Sequence, residues 1–144
     1  MDLKILGLVD AVAYQPTNPT YAIRISSKEK VVLKAALQQS DLYTIVEYFF
    51  DDNDPTFWGK VSDDSITIDE IIAGNILSDF EEKGLDKETL LVHCSRGKNR
   101  SPAVGIALNE IYNLGHDTEE LKKQFPEANW YVYGMLLKVA KKSP

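Results

Sequence analysis

The chain has 144 residues and a formal net charge of −6 at pH 7, with 44% hydrophobic and 26% charged residues. This composition predicts one globular domain over residues 1–144 and argues against disorder and against general binding to nucleic acid. No apolar run approaches the length of a membrane span, and the first residues lack the pattern of a signal peptide. The single cysteine leaves a free thiol, which suits a reducing compartment. The predicted location is cytoplasmic, an expectation based on the absent targeting patterns.

The first half of the chain predicts strands separated by one helix. Three segments rich in β-branched and aromatic residues predict strands: residues 4–14 (together with the turn after the strand), 21–25 and 42–50. Ser26 followed by Glu29 resembles a capping box, so a helix is predicted over residues 27–38. The third strand ends in the acidic turn 51–55, and residues 56–66 predict a surface loop.

The second half of the chain is richer in helices. Thr67 with Glu70 resembles a second capping box and predicts a helix that ends at Gly84. That helix is expected to bury the following apolar residues: Ile71, Ile72, Ile76, Leu77 and Phe80. Strand 89–93 comes next.

Three further helices are predicted after that strand. The first begins at Ser101, has Pro102 in its first turn and ends at Gly115. Asp117 and Asn129 are predicted to cap the other two. Strands interleaved with helices predict an α/β domain with a largely parallel central sheet flanked by helices.

The segment between strand 89–93 and the helix at Ser101 holds the only cysteine, one glycine and three basic residues. A strand, a tight loop and a helix N-terminus form an anion site, because the loop N–H groups and the helix dipole converge on one point. Cys94 and Arg100 bracket this point. The predicted phosphate-binding residues are those that supply the N–H groups: Ser95, Arg96, Gly97, Lys98, Asn99 and Arg100.

The pattern His-Cys-x-x-Gly-x-x-Arg-Ser, from His93 to Ser101, resembles the signature of the cysteine-dependent phosphatase superfamily. The final serine and the order of elements are similar to those of its dual-specificity branch. The resemblance implies that Cys94 is the nucleophile, that Arg100 holds two phosphoryl oxygens and that His93 fixes the loop. It also implies that Ser101 helps the thiolate to leave in the second step, whereas Gly97 is expected to serve the shape of the backbone.

The leaving oxygen of a phosphate ester needs a proton, and the resemblance implies an aspartate on an upstream loop. Residues 50–55 resemble the aspartate loop of the family's lipid-phosphatase and prokaryotic branches, and the matching position is Asp52. Asp54 is an alternative. A third possibility is the pair Asp63 and Asp64, which lies nearer to the cysteine in sequence.

The expected function is therefore a metal-independent phosphomonoesterase of the protein tyrosine or dual-specificity type, with no cofactor and no metal site. Its expected partner is a phosphorylated protein or another phosphomonoester. Arg96 and Lys98 resemble the basic loops of phosphoinositide phosphatases, so an inositol headgroup or another polyphosphate stays open, as does a non-catalytic phosphate-binding protein. Three aromatic residues are candidates for the pocket entrance or for packing: Phe57, Trp58 and Trp130.

Overall fold

The computed structural model of the chain describes residues 1–27, 35–55 and 65–142. These residues form four strands and five helices. In chain order they are β1 (Asp2–Leu6), α1 (Leu8–Ala13), β2 (Thr20–Ser26), β3 (Tyr43–Phe49), α2 (Glu70–Lys83), β4 (Thr89–His93), α3 (Arg100–Tyr112), α4 (Thr118–Gln124) and α5 (Trp130–Lys142). The strands pair in the order β1-β4-β2-β3, and every pair is parallel. The predicted α/β architecture is therefore confirmed.

The two central strands, β4 and β2, place the residue before the cysteine loop next to a buried arginine. On β4, His93 lies opposite Leu6 of β1 and opposite Arg24 of β2. All seven residues of β2 are buried, so the alternating pattern predicted for this strand does not produce an exposed face. A parallel strand covered on both sides buries every side chain, and Arg24 is buried with the rest.

The helices pack around one main core that extends from the sheet to α5. Helix α3 is buried along its first ten residues, from Arg100 to Asn109, and packs against β4, β1 and α5. Tyr21 and Phe80 meet edge to face in this core, with their ring centroids 5.6 Å apart. The buried position of α3 holds its N-terminus at the end of β4.

The first strand differs from its prediction. It occupies Asp2–Leu6, and residues 8–13 form the short helix α1 instead of the end of a strand and a turn. The change of direction is made at Gly7, whose carbonyl accepts a hydrogen bond from the N–H of Ala11. Short apolar runs are equally compatible with a strand and a helix, so periodicity did not separate the two.

Helix α2 begins two residues later than the predicted cap implies. Asp69, not Thr67, is the N-cap, and its carboxylate accepts from the N–H of Ile72 at 2.8 Å. The buried stripe is formed by four residues: Ala73, Ile76, Leu77 and Phe80. Ile71 lies off this stripe and is 73% exposed, so its predicted burial is wrong.

The later helices agree better with the sequence. Asp117 caps α4, and the side chain of Asn129 accepts from two N–H groups of α5, as predicted. Helix α3 ends at Tyr112 with Asn113 in the left-handed region, before the predicted end at Gly115. None of the helices that the structure describes is long and apolar enough to cross a membrane.

Two predicted segments lie mostly outside the described residues. Of the helix predicted over residues 27–38, residues 28–34 are not described, and residues 35–38 are not helical. Residues 56–64 are not described either, and they include two of the three aromatic candidates, Phe57 and Trp58, and the acid pair Asp63 and Asp64.

Candidate active site

The loop between β4 and α3 is closed by a glycine contact with the turn after β1. Gly97 has a φ of 75°, and a Cβ atom added to it would lie 2.5 Å from the backbone nitrogen of Gly7. A Cβ added to Gly7 would lie 2.9 Å from the backbone of Arg96. The N–H of Leu8 donates to the carbonyl of Ser95 at 3.0 Å, which joins the same two segments. Gly97 therefore has the backbone role predicted for it, whereas sequence reasoning missed Gly7.

The sulfur of Cys94 lies at the base of this loop and is almost fully buried. The N–H groups of Gly97 and Ser101 donate to Sγ at 3.3 and 3.4 Å. The hydroxyl of Ser101 lies 3.2 Å from Sγ and also donates to the carbonyl of Leu6 at 3.2 Å. Two backbone donors and the N-terminus of α3 therefore converge on the sulfur.

Arg100 joins the loop to the start of the acidic turn. Its buried guanidinium donates through Nη1 to the carbonyl of Phe50 at 2.9 Å and to the hydroxyl of Ser27 at 3.3 Å. These two acceptors engage both hydrogens of Nη1. The Nε–Nη2 edge is the side of the fork that this geometry leaves for a bidentate contact with two phosphoryl oxygens.

His93 is buried and hydrogen-bonded on both ring nitrogens. Its Nε2 accepts from Nε of Arg24 at 2.8 Å, and its Nδ1 lies 3.3 Å from the carbonyl oxygen of Cys94. Burial lowers the pKa of the Arg24 guanidinium, and the nearby carboxylate of Glu47 partly offsets this effect. Sequence reasoning missed Arg24, although an arginine between apolar residues of a strand was a visible signal.

Asp52 is exposed and is held beside the loop through Asn129. The amide nitrogen of Asn129 donates to Oδ1 of Asp52 at 2.8 Å and to the carbonyl of Asn53 at 2.9 Å. The backbone N–H of Asn129 donates to the carbonyl of Asn99 at 2.9 Å. Asn129 thus connects the acidic turn, the end of the loop between β4 and α3, and the start of α5.

The two described candidate acids share one groove, whereas their neighbour Asp51, which is not a candidate, has a structural contact. Asp52 and Asp54 line a groove of about 480 Å³ together with Asn99, Asn129 and Trp130. The carboxylate of Asp51, in contrast, accepts from the N–H of Ile66 at 2.7 Å and ties the two ends of the intervening segment together.

The other two basic residues of the loop are exposed. Arg96 and Lys98 line a separate groove that also contains the carboxylates of Asp10 and Glu127. Their positive charge is therefore partly balanced by two carboxylates on the same surface.

No family model matches the chain, and neither does any curated protein. Solved structures do match. The human tyrosine phosphatase-like serine/threonine/tyrosine-interacting protein is 18% identical, with 85% of this chain and 77% of that chain covered and a TM-score of 0.45. Tk-PTP in its active form is 16% identical, with 86% and 80% covered and a TM-score of 0.44. A mouse protein described as a dual specificity phosphatase, crystallised with zinc tungstate, is 19% identical, with 94% and 74% covered and a TM-score of 0.47. The chain is thus similar, at low identity, to solved structures of the tyrosine and dual-specificity phosphatase type.

Proposed function

We propose that residues 1–144 act as a phosphatase domain of the protein tyrosine or dual-specificity type, which hydrolyses phosphate monoesters through a cysteinyl-phosphate intermediate. The observation that carries the proposal is the environment of the Cys94 sulfur. Two N–H groups donate to it, the Ser101 hydroxyl lies beside it, and α3 begins next to it. A structural cysteine in an apolar core needs none of these donors.

In the first step the thiolate of Cys94 attacks phosphorus in line with the leaving oxygen. A sulfur–phosphorus bond forms while the bond to the leaving oxygen breaks. The loop N–H groups from Ser95 to Arg100 and the guanidinium of Arg100 bind the phosphoryl oxygens and stabilise the charge of the transition state.

Asp52 is the proposed general acid. The Arg100 contact to the carbonyl of Phe50 anchors the chain two residues before Asp52, and Asn129 holds the carboxylate by Oδ1. Oδ2 then carries the proton to the leaving oxygen. Asp54 lines the same groove and is the alternative acid.

In the second step water attacks the phosphoryl group and Asp52, now a carboxylate, accepts its proton. The sulfur–phosphorus bond breaks, and inorganic phosphate and the Cys94 thiolate are released. The hydroxyl of Ser101 turns from the Leu6 carbonyl to the sulfur and stabilises the departing thiolate.

Phosphoserine, phosphothreonine and phosphotyrosine in proteins are the proposed substrates. An inositol headgroup or another polyphosphate is the second candidate, because Arg96 and Lys98 are exposed beside the loop. Asp10 and Glu127 line the same groove and would repel additional phosphate groups. Their charge therefore favours a substrate that carries a single phosphate, such as a phosphorylated side chain.

Hydrolysis of para-nitrophenyl phosphate in EDTA and reductant tests the proposal. Turnover by the wild type that is lost in Cys94→Ser supports it. Asp52→Asn should reduce the rate much more than Asp54→Asn, and the reverse order would assign the acid role to Asp54. Since nitrophenolate leaves easily, the comparison is repeated with an alkyl phosphate. A wild type that binds phosphate but shows no turnover from pH 5 to 8 would instead indicate a phosphate-binding protein.

A further inference from the structure

The proposed chemistry leaves Arg24 without a role, although it is buried and lies opposite His93, the residue before Cys94, in the sheet. Arg24 lies in the middle of the sheet, opposite His93 of β4 and Glu47 of β3, and is 5% exposed. A buried guanidinium is costly unless it is hydrogen-bonded and paired. Here it donates to His93 and to the carbonyl of Ala35, and it lies 3.9 Å from the Glu47 carboxylate.

The contact between Arg24 and His93 determines which ring nitrogen carries the proton. Nε of Arg24 can only donate, so Nε2 of His93 must accept, and the imidazole is neutral. Its proton is therefore on Nδ1. The carbonyl oxygen of Cys94, 3.3 Å from Nδ1, can only accept, which agrees with this assignment. The result is a directed chain of two hydrogen bonds from Arg24 to the Cys94 carbonyl.

The Cys94 carbonyl belongs to the same peptide group as the N–H of Ser95, the first of the expected phosphate donors. A hydrogen bond to a carbonyl fixes the plane of its peptide group and makes its N–H a stronger donor. We propose that Arg24 is a positioning residue that holds His93 in the Nδ1–H tautomer and thereby aims and polarises the Ser95 N–H toward the anion. Its effect on catalysis rests on the proposed function, whereas its effect on the tautomer does not.

The first measurement is the tautomer of each histidine, read from two-bond 1H–15N correlations of the wild-type protein with labelled imidazole nitrogens at pH 8. The chain contains its own reference. Nε2 of His116 lies 2.8 Å from the carbonyl of Met1, which can only accept, so a neutral His116 carries its proton on Nε2. The two histidines should therefore show opposite tautomers, and His116→Gln assigns the signals. An Nε2–H tautomer at His93 in the wild type would overturn the proposal.

The second measurement compares Arg24→Met, which removes the donors, with Arg24→Lys, which keeps a cation and a donor. In Arg24→Met, His93 should lose its preference for the Nδ1–H tautomer. The value of kcat/KM should fall by roughly tenfold, which corresponds to the loss of about one hydrogen bond in the transition state. Arg24→Lys should recover part of both. Ile25→Val, the next buried position of β2, controls for loss of packing and should keep the tautomer.

The outcomes separate this inference from the proposed function. If Arg24→Met folds and keeps both the Nδ1–H tautomer and kcat/KM, the inference is wrong. If the tautomer changes as expected but no form of the protein hydrolyses a phosphate ester, the positioning role stands and the proposed function fails. If Arg24→Met does not fold, the inference is still tested by the tautomer of His93 in the wild type and by the tautomer and kcat/KM of Arg24→Lys.

Discussion

The contact between Gly97 and Gly7 allows a sharp test of how the loop between β4 and α3 is held. In Gly97→Ala, two penalties add. A residue other than glycine at a φ of 75° costs about 1–2 kcal/mol. The new Cβ would also lie 2.5 Å from the Gly7 nitrogen and 2.7 Å from the Leu6 carbonyl carbon, both backbone atoms that have no rotamer to change. Overpacking of this kind costs about 1–3 kcal/mol more.

Gly115 provides the matched control for this substitution. Its φ is 101°, but among the described residues no atom beyond its two chain neighbours lies within 4 Å of the position of an added Cβ. Gly115→Ala therefore carries the backbone strain without the collision. Urea denaturation should show that Gly97→Ala loses at least about 1 kcal/mol more of the free energy of unfolding than Gly115→Ala.

Activity should separate the two variants further. If the loop moves away from Gly7, its N–H groups are displaced from the phosphate, and displacement on the order of 1 Å costs about 100-fold in rate. Gly97→Ala should lose about that factor in kcat/KM, and Gly115→Ala should stay near the wild type. Equal stability and equal activity of the two variants would refute the close approach of the β1–α1 turn to the loop.

Three further predictions test other parts of the molecule. Ser101→Ala should lower kcat about 10- to 100-fold, because it removes the hydroxyl that is proposed to stabilise the departing thiolate. Rapid mixing should then show a burst of nitrophenolate as the cysteinyl-phosphate accumulates, and steady turnover without a burst would contradict the role of the hydroxyl. In Gly74→Ala, the added Cβ would meet no atom of the described residues within 4 Å apart from the nearby backbone of α2 itself. The substitution should therefore raise the free energy of unfolding by about 0.5–1 kcal/mol in urea titration, whereas a loss would mean that the helix is not continuous there. Burial and the Asp79 carboxylate raise the pKa of Tyr21 to about 12, above an unfolded value of about 10. Tyr21 should therefore contribute up to about 3 kcal/mol to the fall in the free energy of unfolding between about pH 10 and pH 12, to which Tyr48 and Tyr112 also contribute, because burial raises their pKa values as well. Tyr21→Phe should reduce the fall by about that amount, and an unchanged fall would contradict the raised pKa of Tyr21.

Sequence reasoning succeeded where the deciding interactions are local. The loop from His93 to Ser101 is contiguous, so its residue order alone predicted a strand, a tight turn and a helix N-terminus. The cap residues Asp117 and Asn129 were recognised for the same reason, because a cap bonds N–H groups two or three residues ahead. The roles of Cys94 as nucleophile and Asp52 as acid stay predictions that the proposed kinetics must decide.

Local reasoning failed where a contact with a residue distant in sequence decided between two structures that the local sequence allows equally. Thr67 and Asp69 are both good cap residues. Asp69 caps α2, because its carboxylate accepts from the N–H of Ile72, whereas the hydroxyl of Thr67 accepts from the side-chain amide of Asn53. Residues 8–13 have an apolar pattern compatible with a strand, but the N–H of Leu8 pairs with the carbonyl of Ser95 instead of continuing the sheet.

The sequence by itself determined the α/β class and which residues form the cysteine loop, because hydrophobic periodicity and residue order act over a few positions. Only the tertiary structure decided what surrounds that loop. Arg24 reaches His93 across 69 positions, Asn129 reaches Asp52 across 77, and Gly7 meets Gly97 only because β1 and β4 are neighbours. Contacts at such separations depend on the order of strands in the sheet, which no local pattern encodes.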